Sequence, residues 1–295
     1  MKIRYYLLVL TMMCMQLVSN AQGGLCISEV LFQPHSGEAE YVELYNNGES
    51  PIELSDYLII RWLNDSLGSS YTLPSHAVAP HDYVVLTKNA TSVTGNYDVK
   101  YPGKLVECNL PSYPNDGGSV VLAHSDRTVV EKFDYSPSMH SRLLRDKAGV
   151  SLERRRFDVG CNADGNWFSA ASTAGYGTPT YANSQSQEWI AEEIAFEISS
   201  SLLSPDGDDY QDELLISYQL DNNDIYGQIA VYDSRGQKIC TLLNDGLLGT
   251  HGEVLWDGKG TDGIRLPMGR YVLYINLYNL HGTRQIIKRA ISVVY

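Results

Sequence analysis

The feature that most constrains this chain is a recurring short run in which apolar and polar residues alternate with period two. Each run is closed by Gly, Pro, Asn or Asp. Before residue 184 the runs are LCISEVLF (25–32), EYVELYNN (40–47), DYVVLTK (82–88), SVVLAH (119–124), TVVEKFDY (128–135) and SLERRRF (151–157). In EYVELYNN, Val42 and Leu44 point to one face and Tyr41, Glu43 and Tyr45 to the other, as in a half-buried strand. NNGES, SHAVAPHD and PNDGGS supply turns. NSQSQEWIAEE (183–193) interrupts the pattern with a polar, acidic stretch. Strands then resume with AFEISSSLL, ELLISYQL (213–220), GQIAVYD (227–233), KICTLL (238–243), GEVLWDG (252–258), GRYVLYINLYNL (269–280) and RQIIKRAISVVY (284–295). Within 269–280, Tyr271, Leu273, Ile275 and Leu277 form the core-facing set. Sustained helical periodicity is missing. The 295 residues suffice for two cores. The pattern predicts an all-β chain of two antiparallel β-sandwiches in series, joined by a linker at 185–195.

The N-terminus bears on compartment. Lys2 and Arg4 precede an apolar run from Tyr5 to Val18, and Ser19-Asn20-Ala21 places small residues before a cleavage point. Residues 1–21 therefore read as a secretory signal. The run is short for a membrane span, which needs about 20 residues, so no transmembrane segment is expected after cleavage. Losing Lys2 and Arg4 takes the formal charge from −13 to −15. Such an acidic chain is repelled by phosphate backbones, which disfavours nucleic acid as a partner. Cys26, Cys108, Cys161 and Cys240 show no zinc-ligand spacing. Export permits disulfides, and burial as small apolar residues is the other reading; no pairing follows from the sequence.

Longer motifs add a resemblance. ISEVLFQP, EYVELYNNGESPIELSDYLI, GVSLERR and NWFSAASTAGYGTPTYANS resemble the lamin tail domain over 25–184. That resemblance implies an immunoglobulin-like sandwich and far less about activity. SPDGDDYQDELLISYQL, IAVYDSRGQKICTLL, Trp256-Asp257-Gly258, Pro267-x-Gly269-x-Tyr271 and IKRAISVVY resemble a FlgD-like immunoglobulin-like domain over 196–295. Modules similar to it commonly end exported proteins of Bacteroidetes-type bacteria, and some C-terminal sandwiches of this kind are sorting signals for type IX secretion.

Candidate chemistry is sparse. In SPDGDDYQDE (204–213), Asp206, Asp208 and Asp212 fall at positions one, three and seven, with the Tyr210 carbonyl at five. Such spacing can converge hard oxygens on calcium, at the weak affinity of extracellular modules, about 10⁻⁴–10⁻³ M. The FlgD-like pattern resembles N/D-G-D-G-x-N/D-D, and Asp209 stands where that pattern has its second Gly. The same stretch also reads as a solvated Pro-Asp-Gly turn, and both readings stand. The seven histidines form no H-E-x-x-H, and neither a G-x-S-x-G elbow nor a P-loop occurs. Glu40 and Glu43 are three apart on a strand and so point to opposite faces. Arg154-Arg155-Arg156 reads as a solvated sheet face, or as a patch for anions.

These observations lead to a non-catalytic exported protein that binds or scaffolds at the cell envelope, with a protein or a glycan as partner. It would lie in the periplasm, at the outer-membrane surface or outside the cell, with structural calcium as the one candidate cofactor. The alternatives are an accessory component or cargo of a type IX-like secretion or gliding apparatus, sorted by its C-terminal domain, and a hydrolase with an unrecognised site.

Overall fold

The structure, a computed structural model, describes residues 24–63, 65–186, 195–220, 224–279 and 284–295. The expected signal, 1–21, lies outside them, as do residues 187–194 of the expected linker. The first part carries β1 (Leu25–Leu31), β2 (Tyr41–Asn46), β3 (Ile52–Glu53), β4 (Tyr57–Leu63), β5 (Ser66–Thr72), β6 (Ala77–Val78) and β7 (Tyr83–Thr87). A short helix, α1 (Ala90–Asn96), precedes β8 (Leu105–Glu107), β9 (Gly118–His124), β10 (Val129–Tyr135), β11 (Leu152–Arg154) and β12 (Trp167–Ser169). The second part carries β13 (Ala195–Ile198), β14 (Leu202–Leu203), β15 (Leu214–Gln219), β16 (Tyr226–Asp233), β17 (Lys238–Leu247), β18 (His251–Trp256), β19 (Gly269–Tyr278) and β20 (Arg284–Val293).

The chain is all-β, built as two immunoglobulin-like sandwiches in series. In the first, a sheet ordered β12-β11-β1-β2-β7-β8 packs on a sheet ordered β10-β9-β4-β5. Val30, Val42 and Leu44 meet Ile59, Val120, Leu122 and Phe133 in the core between them. Trp167 closes one end, its ring stacked on Phe133 at 3.6 Å between centroids and its Nε1–H donating to the Cys161 carbonyl at 2.7 Å. In the second sandwich, β13-β15-β18 packs on β14-β20-β19-β16-β17. Ile216 and Trp256 meet Ile229, Leu273 and Ile291. Pairing is antiparallel throughout except for two short edge ladders, β7–β8 and β14–β20, which are parallel. The four cysteines carry free thiols, with Cys161 and Cys240 buried.

The first sandwich departs from plain alternation because its larger sheet is covered on both faces. Every residue of β2 is buried. Val42 and Leu44 face the core, while Tyr41 belongs to a second cluster with Leu31, Val85 and Val93 of α1. The segment from Ala171 to Ser186 covers the rest of that outer face. Glu29, Glu43 and Glu153 lie beneath it, fully buried and in cross-strand register, Glu153 opposite Glu29 and Glu29 opposite Glu43. Glu40 is half-buried and is not part of this row. The carboxylates hold the covering segment by its backbone: Thr178 N–H donates to Glu29, Thr180 N–H to Glu43, and Gln185 N–H to Glu153.

Candidate functional site

The acidic stretch folds as a tight loop ahead of β15. Three of its residues have left-handed backbones: Gly207 (φ 92°), Asp209 (φ 68°) and Gln211 (φ 57°). Asp209 thus adopts the conformation that the glycine of the resembled pattern would take, and Asp is among the residues that tolerate it best. Asp212 organises the loop, its Oδ1 accepting from Gly207 N–H at 2.7 Å and its Oδ2 from Asp209 N–H at 2.8 Å. Asp206 Oδ1 accepts from Asp208 N–H at 3.2 Å, and Asp208 Oδ1 from Tyr210 N–H at 2.9 Å. Asp206, Asp208 and Asp212 each bring one carboxylate oxygen within 4.8 Å of the others. No Lys or Arg forms an ion pair with them among the described residues. An all-oxygen, uncompensated donor set of this kind fits a hard cation such as calcium. The Tyr210 ring is exposed.

The basic run does not form the solvated face that its composition suggested. Arg154 is buried at 2% exposure. Its Nη1 donates to Glu131 Oε1 at 2.8 Å and to the Ile27 carbonyl at 3.2 Å. Nε and Nη2 donate to the carbonyls of Arg156 and Val159, both at 3.0 Å. The guanidinium fork matches these acceptors better than it would match water at a sheet surface. Arg155 Nε is buried without a partner, and only Arg156 forms an exposed ion pair, with Asp158.

The two sandwiches meet along a polar seam. Ser141 Oγ donates to Asp224 Oδ1 at 2.6 Å and accepts from Tyr226 OH at 2.8 Å. Ser172 Oγ donates to the Leu247 carbonyl at 2.7 Å, and Thr173 Oγ1 lies 2.6 Å from Tyr218 OH. Thr250 N–H donates to the Ser184 carbonyl at 2.8 Å, and Thr250 Oγ1 to that of Ser186 at 2.7 Å. Gln185 and Ser186, the start of the expected linker, are buried here. Each such bond contributes about 0.5–1.5 kcal/mol net. None of the ion pairs between described residues crosses the seam, so its strength should depend little on salt. Gly249 makes the close approach possible, because a Cβ there would run into the Ser184 carbonyl. Gly249→Val is expected to cost about 1–3 kcal/mol by overpacking and to separate the melting of the two sandwiches. Differential scanning calorimetry checks this as two resolved transitions in place of a coupled one.

Beside the seam lies a cleft of about 760 Å³. The first sandwich contributes Glu38, Tyr97, Asp146 and Tyr176 to it, and the second Tyr226, Asn244, Asp245 and Tyr278. Tyr176 holds a left-handed backbone (φ 66°), an uncommon conformation for an aromatic residue. The rim is rich in hydrogen-bonding groups and aromatic rings. The nearest approach to a hydrolytic pair lies elsewhere: His140 Nδ1 is 2.9 Å from Ser169 Oγ. Both residues are buried, His140 Nε2 has no partner, and no carboxylate orients the ring. Burial, then Lys147, lowers the His140 pKa to about 4, which leaves the imidazole neutral but out of reach of a substrate.

The sequence brought out the three aspartates, which the fold does bring together. It did not bring out the seam, the cleft or the row of buried glutamates, whose members are distant in the chain. Among the described residues no helix is long and apolar enough to cross a membrane, which says nothing of a β-barrel.

Residues 18–137 match the family model of the lamin tail domain, less than half of the chain. No curated protein matches it. Solved structures of slight likeness include three bacterial proteins. CopC from Methylosinus trichosporium OB3b is 16% identical over 34% of this chain and 93% of that one, with a TM-score of 0.24. FlgD from P. aeruginosa is 16% identical over 36% and 78%, with a TM-score of 0.25. PorZ, a surface component of the type-IX secretion system of Porphyromonas gingivalis, is 14% identical over 91% and 30%, with a TM-score of 0.28. Likenesses this small carry no argument about function.

Proposed function

We propose that this chain is a non-catalytic, exported recognition module of the cell envelope, whose binding surface is the cleft between its two sandwiches. The observation that carries the reading is the seam. Hydrogen bonds from both sandwiches fix two walls, so the cleft's rings and carboxylates are held before any partner arrives, which lowers the ordering cost of binding. The partner is a glycan or a protein of the envelope. Tyrosine rings offer flat apolar contact with a polar edge, suited to either. The N-terminal 21 residues, read as a secretory signal, support export.

The test uses retention of the purified protein on envelope polysaccharide and outer-membrane protein fractions. Retention lost in Tyr176→Ala and in Asp146→Ala, with melting unchanged, supports the cleft. Retention by neither fraction, or retention that both variants keep, removes it.

Calcium is part of the same proposal, held by Asp206, Asp208 and Asp212 with the Tyr210 carbonyl as a fourth donor. Its role is to stiffen the loop that opens the second sandwich. At an affinity of about 10⁻⁴–10⁻³ M, about 10 mM calcium should add about 1.4–2.7 kcal/mol to that sandwich. Calorimetric melting with calcium and with chelator should show this in one transition only, and Asp208→Ala should abolish it. An unchanged transition would leave the loop a solvated turn.

A further inference from the structure

The row formed by Glu29, Glu43 and Glu153 presents a charge problem. The three side chains are fully buried on adjacent strands, each directly opposite its neighbour. Opposed residues of an antiparallel pair hold their Cβ atoms about 4.5–5.5 Å apart, and like charges there repel. No Lys or Arg forms an ion pair with the row among the described residues. Arg154, next to Glu153 in sequence, is turned to Glu131 and the Ile27 carbonyl. The groups facing the row are neutral: Ser28 and Ser151 on the sheet, Thr178, Thr180 and Ser184 on the covering segment, and the phenols of Tyr41, Tyr97 and Tyr181. Beyond the phenols, Glu38 and Asp98 act on Tyr97 and Tyr181, and the Lys100 ammonium lies 4.0 Å from the centre of the Tyr181 ring.

Hydrogen-bond counting calls for at least one proton in the row. Thr178 Oγ1 lies 3.2 Å from Glu29 Oε2 and 2.8 Å from Glu153 Oε1. A hydroxyl carries one hydrogen, so both contacts are hydrogen bonds only if one of the two carboxyl groups supplies a second. Glu29 Oε1 accepts from Tyr41 OH at 2.7 Å, from Thr178 N–H at 3.0 Å and from Ser151 Oγ. Glu29 accepts the most hydrogen bonds of the three, these on Oε1 and Thr178 on Oε2, so it is the member best able to hold a negative charge. Glu153 Oε2 accepts from Ser184 Oγ at 2.7 Å and from Gln185 N–H at 2.9 Å. Its proton therefore sits on Oε1, facing Thr178. Glu43 accepts Thr180 N–H at 2.6 Å on Oε2, while its Oε1 is buried with no hydrogen-bond partner. A neutral acid tolerates that better than an anionic oxygen would. Thr180 adds a mechanical sign: a β-branched residue at φ 81° is held there by Glu43.

We propose that Glu29, Glu43 and Glu153 form a buried proton-binding row carrying one negative charge, on Glu29, with Glu43 and Glu153 as neutral acids. In that state the row clasps residues 178–185, and through Ser184 and Gln185 it bears on the seam with the second sandwich. Glu153 grips Ser184 Oγ, and the carbonyl of the same Ser184 accepts Thr250 N–H. Protonation of the first sandwich is thereby linked to its docking on the second.

Burial raises all three carboxyl groups, with the neighbouring Glu29 a further cause at Glu43 and Glu153, and Glu153 is pushed up to about 8. A carboxyl group raised on folding binds a proton that the unfolded chain has released. Its stabilising effect is complete below the unfolded value of 4.5 and is lost as pH rises to about 8. His140, lowered from 6.5 to about 4, acts in the opposite sense below pH 6.5. The interval from pH 6.5 to 8 therefore isolates the row.

The experiment is thermal melting of the protein and of Glu153→Gln across that interval, with infrared spectra of both at pH 6.5. Glutamine reproduces the neutral acid, since its NH₂ can donate to Thr178 Oγ1 and its oxygen can accept from Ser184 and Gln185. The protein should lose melting temperature from pH 6.5 to 8, the variant should lose less, and the variant should be the more stable at pH 8. The protein's carbonyl stretch of a neutral carboxylic acid should diminish in the variant. Equal slopes with the variant less stable at pH 8, or no neutral-acid band in the protein itself, would overturn the proposal. The second result decides the matter even if the variant fails to fold.

Discussion

Arg154→Leu is expected to destabilise the first sandwich by about 3–5 kcal/mol, the cost of removing one partner of a buried ion pair. Four bonds go at once. The carbonyls of Ile27, Arg156 and Val159 each lose a donor, and Glu131 loses its cation. Glu131 stays committed because its Oε2 also accepts Ile27 N–H at 2.7 Å, tying β10 to β1. Its side chain is only 15% exposed, so water replaces the guanidinium poorly. The comparison that isolates the charge is Arg154→Leu with Glu131→Gln, which should recover part of the loss because no uncompensated anion remains. Urea unfolding monitored by tryptophan fluorescence measures both variants, with Trp167, which stacks on Phe133 in the same core, among the four reporters. A loss under about 1 kcal/mol for Arg154→Leu would return the arginine run to the solvated face that its composition suggests.

Trp256→Ala should destabilise the second sandwich by a similar amount, about 3–5 kcal/mol for deleting a buried indole. Trp256 is 2% exposed, and its Nε1–H donates to the Lys259 carbonyl at 3.1 Å. It pairs in register with Leu214, two residues beyond Asp212. Two residues after it, Gly258 sits at φ 73° against Leu203 and Pro205, the residues that lead into the acidic loop. Loss of the indole should therefore also weaken the rise in melting that is proposed for calcium, since the ring and the turn after it support both ends of the loop. Trp256→Phe should keep most of the packing and lose the hydrogen bond, at about 1–2 kcal/mol. Scanning calorimetry should place either loss in the second sandwich, with the first moved only through the seam.

The sequence was most legible where neighbours in the chain are also neighbours in space. β19 alternates as its residues predict, with Tyr271, Leu273, Ile275 and Leu277 buried. The three aspartates were legible because one loop holds them all. β4 was harder to read. Leu58, Ile59 and Ile60 are consecutive apolar residues that serve two clusters, Ile59 facing the core and the other two an outer patch with Trp62. Alternation vanishes when both faces of a strand are covered. α1 was invisible for another reason. ATSVTGN has weak helix propensity, and the helix is fixed by the Asn89 cap on Ser92 N–H and by buried Val93. Glu29, Glu43 and Glu153 each looked like an ordinary strand residue. Only the pairing of β11, β1 and β2 sets them side by side, and spacing along one strand carries no trace of that.

The placement of β20 also sets an order of assembly. It lies inside its sheet, between β14 and β19, and contributes Ile291 and Val293 to the core. Its partner β14 is nearly a whole sandwich earlier in the chain. Strand pairings of such long sequence separation form slowly. A chain delivered from its N-terminus can close β1 to β12 early. The second sandwich must stay open until residue 293 has emerged, with β19 lacking its neighbour. Until then, any machinery handling the chain meets one finished sandwich followed by an unclosed one. The residues that the second sandwich gives to the seam, from Tyr218 to Thr250, all emerge before the strand that closes it.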